Sequence, residues 1–383
     1  MKQAPLITAA ASTALVLVWL VLNVHYNYRD DWTALYDTGA FRRIPPAIEN
    51  EQIYLSKGSP GYDGQFYHFI AHDPWMRQGT APFVDNPRLR WRRILVPALA
   101  WLCALGQSDY VDSAYFALLL AFVFLGVYWS ARFLERYNLP PAWGAAFILV
   151  PAVLISLDRA TVDVALAALC AGFALYGVAT PSPAVYAILA AAPLARETGA
   201  CLIVAYVAVQ LRKRNWTGAG LGAATALPFL LWTFYLNAHT APDHTIFVSL
   251  IPLKGLILRT IAPIQYATPT AWLRKAAILD FLAILGIWVA LLGSPTNWFS
   301  FDELEGAALA FAATAIFLAQ PQAWGEAYSF GRTMSPLLIC VALVGVRRRR
   351  WRALAPLLMV LPRILLQLAT EWRGIWHGLV KSA

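Results

Sequence analysis

Residues 6 to 24 of the chain read LITAAASTALVLVWLVLNV, without a single charged side chain. A helix that crosses a bilayer needs about 20 predominantly apolar residues, and this run is nearly that long. It exceeds the apolar core of a signal peptide, and no small-x-small cleavage motif follows it. We therefore predict that the run stays in the protein as a first transmembrane helix.

The composition of the whole chain agrees with a membrane protein. Hydrophobic residues make up 59% of the 383 residues and charged residues only 13%, which is more apolar material than a soluble fold of this length can bury. Much of the surface must therefore face lipid. The cysteines lie in apolar runs without paired spacing, which predicts buried packing rather than disulfides or a zinc site. They are Cys103, Cys170, Cys201 and Cys340.

Hydropathy along the rest of the chain predicts an all-α fold, a polytopic membrane helical bundle with about eleven transmembrane helices in a single membrane domain over residues 1–383. The apolar run from Ile94 to Gly106 is short and contains Pro97, so we expect it to lie on or dip into the outer leaflet. A long extracytoplasmic first loop, about residues 25–111, results. The predicted spans are near residues 6–24, 112–133, 142–157, 161–179, 183–195, 198–211, 217–237, 276–293, 304–320, 333–346 and 353–369.

Basic residues predict the orientation of the bundle. With the N-terminus inside, every short basic cluster falls in a cytoplasmic loop, as the positive-inside rule requires. These clusters are Lys2, Arg132 with Arg136, residues 212–214 and residues 347–350. We therefore attribute the net charge of +9 to topology and expect no nucleic-acid partner. The outer face then collects ionisable residues that are expensive near a bilayer. They are Asp63, Asp73, Asp158, Asp163, Arg196, Glu197, Glu326 and Arg332.

The first outer loop contains the strongest local motif, Gly-Tyr-Asp-Gly-Gln-Phe-Tyr at residues 61–67. Two glycines flank Asp63, which allows a sharp turn and a close approach of its carboxylate to a ligand. Asp63 is either a catalytic base or a solvated aspartate in an Asx turn. The neighbours Tyr62, Gln65, Tyr67 and His68 resemble a surface that stacks on sugars and binds hydroxyls, although interfacial aromatics are also common for lipid reasons.

Two further features of the sequence have alternative interpretations. Asp158 and Asp163 are five residues apart, so they would not share a helix face, but a turn beginning at Ser156 could aim both inward. Asp158 also fits the N-cap of the fourth span. His68 and His72 have the spacing of two metal ligands on one helix face, but no third ligand has a diagnostic spacing. We therefore expect no cofactor, with a divalent metal as the less favoured alternative.

Taken together, the motifs resemble those of the bacterial GT-C superfamily of membrane glycosyltransferases. The resemblance covers the Tyr-Asp-Gly-Gln-Phe-Tyr loop and four later segments, and so extends over most of the chain. The later segments are Arg-Ile-Leu-x-Pro-x-Leu-Ala at 93–100, Leu-Asp-Arg-Ala-Thr-Val-Asp at 157–163, Ala-Arg-Glu-Thr-Gly at 195–199 and Phe-Gly-Arg-x-x-Ser-Pro at 330–336.

That resemblance implies a sugar donor linked to polyprenyl phosphate, used on the extracytoplasmic side of the bacterial inner membrane, with Asp63 as catalytic base. Arg196 and Arg332 would stabilise the departing phosphate, since a guanidinium binds two oxygens at once. Alternatively, Arg196 pairs with Glu197 at a helix end, and Arg332 is a snorkelling interface residue. The expected substrate-binding residues are Tyr62, Gln65, Tyr67, His68, Asp73, Arg93, Asp158, Arg159, Asp163, Arg196, Glu197 and Arg332.

The expected function is transfer of that sugar to a cell-surface glycan or lipid acceptor, with membrane lipid as the other partner. Two other classes remain open from sequence: a lipid-linked sugar flippase or exporter, and a non-catalytic subunit of an envelope glycan assembly complex. A transport route would need charges along the whole bundle. Because the ionisable residues crowd one predicted face, the sequence favours the transferase.

Overall fold

The computed structural model describes residues 3–178, 182–242, 247–266, 270–293 and 302–382, and helix is by far the main secondary structure in them. The one sheet among them pairs two short parallel strands, β1 (Thr38–Gly39) and β2 (Leu55–Ser56). The helices are α1 (Ala4–Tyr28), α2 (Asp63–His72), α3 (Pro87–Arg92), α4 (Leu95–Cys103), α5 (Ser108–Arg136), α6 (Pro151–Arg159), α7 (Asp163–Gly177), α8 (Ala184–Ala195), α9 (Ala200–Arg212), α10 (Trp216–Ala224), α11 (Leu227–His239), α12 (Lys254–Ile261), α13 (Ala271–Leu292), α14 (Glu303–Phe317), α15 (Ala327–Arg347) and α16 (Ala355–Ser382).

Six helical segments of the described chain are long and apolar enough to cross a membrane. The bent pair Pro141–Leu149 and Pro151–Arg159 would make a seventh if it is one span. The other four predicted spans coincide with α7, α8, α9 and α14, which have between 12 and 15 residues. Each of the eleven predicted spans therefore contains helix, but these four are short for a bilayer. The six are Ala4–Tyr28, Ser108–Arg136, Trp216–His239, Ala271–Leu292, Ala327–Arg347 and Trp351–Lys381.

Helices at the edge of the bundle present apolar side chains outward, whereas α15 is buried at its centre. Leu15 of α1 is 67% exposed and Trp376 of α16 is 66% exposed, although both are strongly hydrophobic. Around α15 pack α6, α7, α13, α14 and α16. Exposed apolar stripes on long helices are what a lipid solvent requires, so the chain has the surface of a membrane protein.

The long first loop is folded rather than extended. Short 3₁₀ helices, β1, β2 and helices α2 to α4 follow one another between α1 and α5. Within the segment 94–106, the helix α4 is only about 14 Å long, so it is too short to span, as the sequence predicts. It packs against α2 and α5. The loop therefore rests on one end of the long helix α5.

The two ends of the bundle differ in charge. At one end, Arg347 at the close of α15 pairs with Asp302 and Glu305 at the start of α14, and the Lys213 ammonium lies 2.6 Å from Glu303. These contacts place the basic clusters 212–214 and 347–350 together. Arg332 is near the other end of α15, about 22 Å away along the helix axis. Lys2, predicted to join the basic end, lies outside the described residues.

Candidate functional site

The motif at residues 61–67 forms the start of α2, with Asp63 as its first residue. Gly61 has a φ of 83°, the left-handed conformation that favours glycine. A Cβ atom on Gly64 would overlap the carbonyl oxygen of Arg159, so only glycine allows α2 to lie this close to the end of α6. Together the two glycines hold the Asp63 carboxylate against the bundle.

Asp63 lies between two arginines from distant parts of the chain. Its Oδ2 atom is 2.7 Å from Nη1 of Arg90 in α3, and it also accepts a hydrogen bond from Nη2 of Arg332 in α15. Only 17% of the Asp63 side chain is exposed. The alternative of a solvated Asx-turn aspartate is therefore wrong, because the carboxylate is enclosed and doubly ion-paired.

The charge state of Asp63 follows from this environment. Burial by itself raises the pKa of the carboxyl group, but the charges of Arg332 and Arg90 outweigh it and hold that pKa well below its usual range. Asp63 is therefore ionised throughout the neutral pH range. Since its pKa is depressed in the folded state, these ion pairs stabilise the fold above about pH 4 and lose that contribution as the pH falls further.

A second carboxylate, Asp163, continues the charged row. Arg332 reaches it at 3.4 Å, and Arg196 pairs with its other oxygen. Arg196 also donates to the Thr333 hydroxyl at 2.9 Å. Arg332 is only 8% exposed. Both sequence-based alternatives are therefore wrong: Arg196 pairs with Asp163 rather than with Glu197, and Arg332 is an inward-facing residue rather than a snorkelling one.

Glu197 and Arg93 form a neighbouring pair. Arg93 donates to both carboxylate oxygens of Glu197, at 2.7 and 2.9 Å, and to the Tyr67 hydroxyl at 3.1 Å. All three residues were predicted from the sequence to belong to the site. The Tyr62 ring, also predicted, lies 4.9 Å from the Arg332 guanidinium carbon, in a cation–π arrangement that fixes the arginine above Asp63.

Asp158 and Arg159 belong to an adjacent cluster. Arg159 lies 3.1 Å from Asp158 and 3.4 Å from Asp37, while the Tyr328 hydroxyl donates to Asp158. The prediction that Asp158 caps the fourth span is wrong. It lies in the last turn of α6, and Val162 occupies the position before α7. Asp158 and Asp163 are both buried, as expected, but helix α6 continues through Ser156, so the turn predicted to begin there is wrong.

Other predicted residues have contacts of their own, away from the Asp63 carboxylate. Gln65 accepts the backbone N–H of Gly39 at 3.2 Å. Asp73 accepts the backbone N–H groups of Arg77 at 2.7 Å and Gln78 at 2.9 Å, which closes a turn. Glu326, expected on the outer face, pairs with Arg363 of α16 at 2.8 Å. These three side chains support the surrounding structure.

Two of the predicted residues, His68 and His72, lie further along α2 and face Glu51 and Asp112. His68 stacks on the Tyr36 ring at 4.1 Å between centroids. The two histidines therefore lie on one face of α2, as their spacing indicates, and two carboxylates that are distant in sequence face them. The loop aspartate Asp63 is at the opposite end of the same helix.

Arg90 is the main residue that the sequence-based prediction of the site omitted. Asn86 caps α3 by accepting the Leu89 N–H at 3.0 Å, and Pro87 begins the helix. This short helix places Arg90 over Asp63, and Asp85 holds it with two hydrogen bonds of 2.8 and 2.9 Å. The sequence signal that could have identified Arg90 was an Asn-Pro helix start followed by closely spaced arginines.

The site is thus a row of alternating charges that runs from the exposed Asp85 into the protein through Arg90, Asp63, Arg332, Asp163 and Arg196. Burying paired charges contributes little net stability, so such a row is more typical of a functional site than of a folding element. It can bind an anion through its arginines and accept a proton through its carboxylates.

Comparisons of the chain with family models, with curated proteins and with solved structures found no match.

Proposed function

We propose that the protein is a membrane glycosyltransferase of the GT-C type, which transfers a sugar from a polyprenyl-phosphate donor to a glycan or lipid acceptor at the extracytoplasmic surface. The observation that carries the proposal is the Asp63 carboxylate held between Arg90 and Arg332 at one end of a membrane bundle. It combines a proton acceptor with two phosphate-binding groups, which are the parts that this reaction needs.

The reaction divides between these groups as follows. The acceptor hydroxyl attacks the anomeric carbon, its proton passes to the Asp63 carboxylate, and the bond from that carbon to the phosphate oxygen breaks. The electron pair leaves with the polyprenyl phosphate, whose growing charge Arg332 and Arg90 stabilise. Each guanidinium remains charged and can bind two phosphate oxygens in one plane. The residues themselves supply the acid-base and electrostatic contributions.

Donor binding would also activate the base. Without donor, Arg90 and Arg332 hold the pKa of Asp63 low, which makes it a weak proton acceptor. The phosphodiester monoanion of the donor, by taking over hydrogen bonds from these arginines, removes part of that stabilisation, and the pKa of Asp63 then rises. The same exchange couples the presence of a donor to the ability to deprotonate the acceptor, so the base becomes effective when the sugar is in place.

Charge placement also supports this class over a flippase. The acids and arginines of the site gather near the start of α15, and the basic clusters gather at its end. Between them, residues 337–346 of α15 carry no ionisable group other than Cys340. A sugar-phosphate route through the bundle would need polar side chains along this stretch.

The proposed topology has about eleven spans, with the N-terminus in the cytoplasm and the site outside. Lys57 is exposed in the first loop, and Arg350 is exposed at the basic end. Cys103 is exposed, so the prediction of buried packing is wrong for this cysteine. In a Cys103→Ser background, which removes that thiol, we expect Lys57→Cys to react with a membrane-impermeant maleimide in intact cells. Arg350→Cys should react only after the membrane is permeabilised. If Arg350→Cys were labelled in intact cells and Lys57→Cys were protected, the orientation would be the opposite of the one proposed.

The substrate class is tested by the lipid that the protein retains. We expect mass spectrometry of the detergent-purified protein to detect a bound polyprenyl phosphate or its glycosylated form. Adding the glycosylated lipid and a candidate acceptor should yield a glycosylated acceptor and free polyprenyl phosphate. A protein that binds neither lipid form, and releases no polyprenyl phosphate from the donor, would not be a transferase of this type.

A further inference from the structure

We propose that Glu51, His68, His72 and Asp112 form a binding site for one divalent transition metal ion, with Zn²⁺ as the best fit. Each residue offers one ligand atom, and these atoms lie within 4.8 Å of one another. The histidines come from α2, Asp112 from the first turns of α5, and Glu51 from the loop before β2. Three separate segments of the chain therefore meet at one point.

The spacing of these atoms matches a coordination sphere. Nε2 of His68 is 3.2 Å from Oδ1 of Asp112 and 3.7 Å from Oε2 of Glu51. Nε2 of His72 is 3.4 Å from the same Asp112 oxygen. A tetrahedral zinc with bonds of about 2.0 to 2.2 Å has its ligand atoms about 3.3 to 3.6 Å apart. These three separations fit a tetrahedral metal, and the widest pair of ligand atoms, which lie within 4.8 Å, would close by about 1 Å on binding.

A hydrogen-bond relay orients His72 for this role. Its Nδ1 is 2.8 Å from the Ser108 hydroxyl, and that hydroxyl donates to Glu51 at 2.8 Å. Because the serine donates its proton to the carboxylate, Nδ1 is the donor toward Ser108, and Nε2 faces Asp112. A metal ion between Nε2 and that Asp112 oxygen would bind two atoms that lie 3.4 Å apart. Such outer contacts are typical of protein metal sites.

His68 provides an independent indication. Its side chain is fully buried, and neither ring nitrogen makes a hydrogen bond to any part of the chain that the structure describes. Nε2 lies close to the Asp112 and Glu51 carboxylates without hydrogen-bond geometry, and a buried imidazole left in this way is costly. Stacking on Tyr36 fixes its ring plane, and the Tyr36 hydroxyl donates to Asp112 at 2.8 Å. The ring is thus held with Nε2 facing two carboxylates, where a metal would complete its bonding.

The ligand chemistry selects the class of metal. Two imidazoles and two carboxylates suit Zn²⁺ and related divalent ions better than Mg²⁺ or Ca²⁺, which prefer oxygen ligands only. The two carboxylates balance the charge of the ion. Four protein ligands leave no open position on a tetrahedral metal, so the site is structural. It would clamp α2 to α5, and His68 is about 7.5 Å along the helix axis from Asp63.

The experiment measures metal binding and stability, and so is independent of sugar transfer. The full-length protein in detergent is stripped with a chelator, titrated with ZnCl₂ and assayed by plasma mass spectrometry and thermal melting. We expect one zinc per chain and a higher Tm with zinc. Glu51→Gln and His72→Gln should lower zinc affinity more than 100-fold and abolish the Tm shift, and Ser108→Ala should lower it by about 10- to 100-fold.

The matched control is His25→Gln, an exposed histidine outside the cluster that pairs with Asp30, and it should bind zinc like the wild type. A wild-type protein with no bound zinc and no Tm shift would overturn the proposal. The four side chains would then be held together by a shared proton instead of a metal. Equal zinc affinity in Glu51→Gln, His72→Gln and wild type would also overturn it. The cobalt spectrum of the wild type tests the site without any variant: strong visible bands of four-coordinate Co²⁺ support it, and a weak octahedral spectrum contradicts it.

Discussion

Replacing Asp63 with Asn is expected to abolish sugar transfer while leaving the protein folded and able to bind its lipid donor. The amide keeps the size of the side chain but cannot accept a proton at neutral pH. General-base catalysis typically contributes a factor of about 100 to 10,000, so kcat should fall at least 100-fold. The measurement is transfer of sugar from a polyprenyl-phosphate donor by the purified variant, together with donor affinity.

The surrounding ion pairs explain why this variant should fold. Arg90 keeps its two hydrogen bonds to Asp85, and Arg332 keeps its contact with Asp163. Neither arginine is left buried without a partner. Because both lose a competitor for the phosphate, donor affinity should be unchanged or higher. That combination, tight donor binding with no transfer, distinguishes a missing base from a damaged fold.

Asp73→Asn is the control. Asp73 accepts backbone N–H groups through both carboxylate oxygens, and Asn has only one oxygen to offer. Losing such a hydrogen bond costs about 1–3 kcal/mol, so this variant should melt at a lower temperature and retain transfer within a few-fold. If Asp63→Asn behaved like Asp73→Asn, with near wild-type transfer, Asp63 would not be the base, and Asp163 would become the next candidate.

Arg332→Lys is expected to weaken use of the donor by about 10- to 100-fold in kcat/KM. Lysine preserves the charge but loses the planar fork that lets arginine hold Asp63 and Asp163 together, and later a phosphate. One hydrogen bond to a charged group is worth about 1.5–3 kcal/mol, which corresponds to this range. The loss should fall on donor kinetics, with acceptor KM little changed.

Two comparison variants separate phosphate binding from general disturbance. Arg88→Lys changes an arginine on the same helix as Arg90, but one whose hydrogen bonds within the described residues go to Thr240, so donor kinetics should stay near wild type. Arg196→Lys should have an intermediate effect, because Arg196 contacts Asp163 and Thr333 rather than Asp63. Unchanged donor kinetics in Arg332→Lys would remove the phosphate role from this residue.

The sequence predicted the helices well because their signal is local. The composition of a run such as residues 6–24 is enough to indicate a lipid environment, since a lipid-facing helix must be apolar over its whole length. For the same reason, helix is present at each of the eleven predicted positions, including the short helices α7, α8, α9 and α14. The glycines at 61 and 64 likewise marked the sharp approach of Asp63, because the backbone there excludes larger residues.

Charge partners were predicted less well because they depend on long-range contacts. Arg196 and Glu197 are adjacent and opposite in charge, which suggested a mutual pair. In the structure, Arg196 pairs with Asp163 and Glu197 pairs with Arg93. Arg332 looked like an interface residue from its flanking apolar sequence, but packing against α2 and α7 turns it inward. Asp158 precedes an apolar run, which suggested an N-cap. In the structure, however, α6 continues through Asp158 to Arg159.

By itself, the sequence predicted a membrane protein, the positions of its long apolar helices, and a glycine on each side of Asp63. Those properties follow from composition and from interactions within a few residues. Only the tertiary structure decided that Arg90 and Arg332 share Asp63, and that Glu51 and Asp112 join His68 and His72. Asp63 and Arg332 are 269 residues apart. No local periodicity can encode such a pair, because it forms when the first loop packs onto the bundle and each buried charge must find a partner.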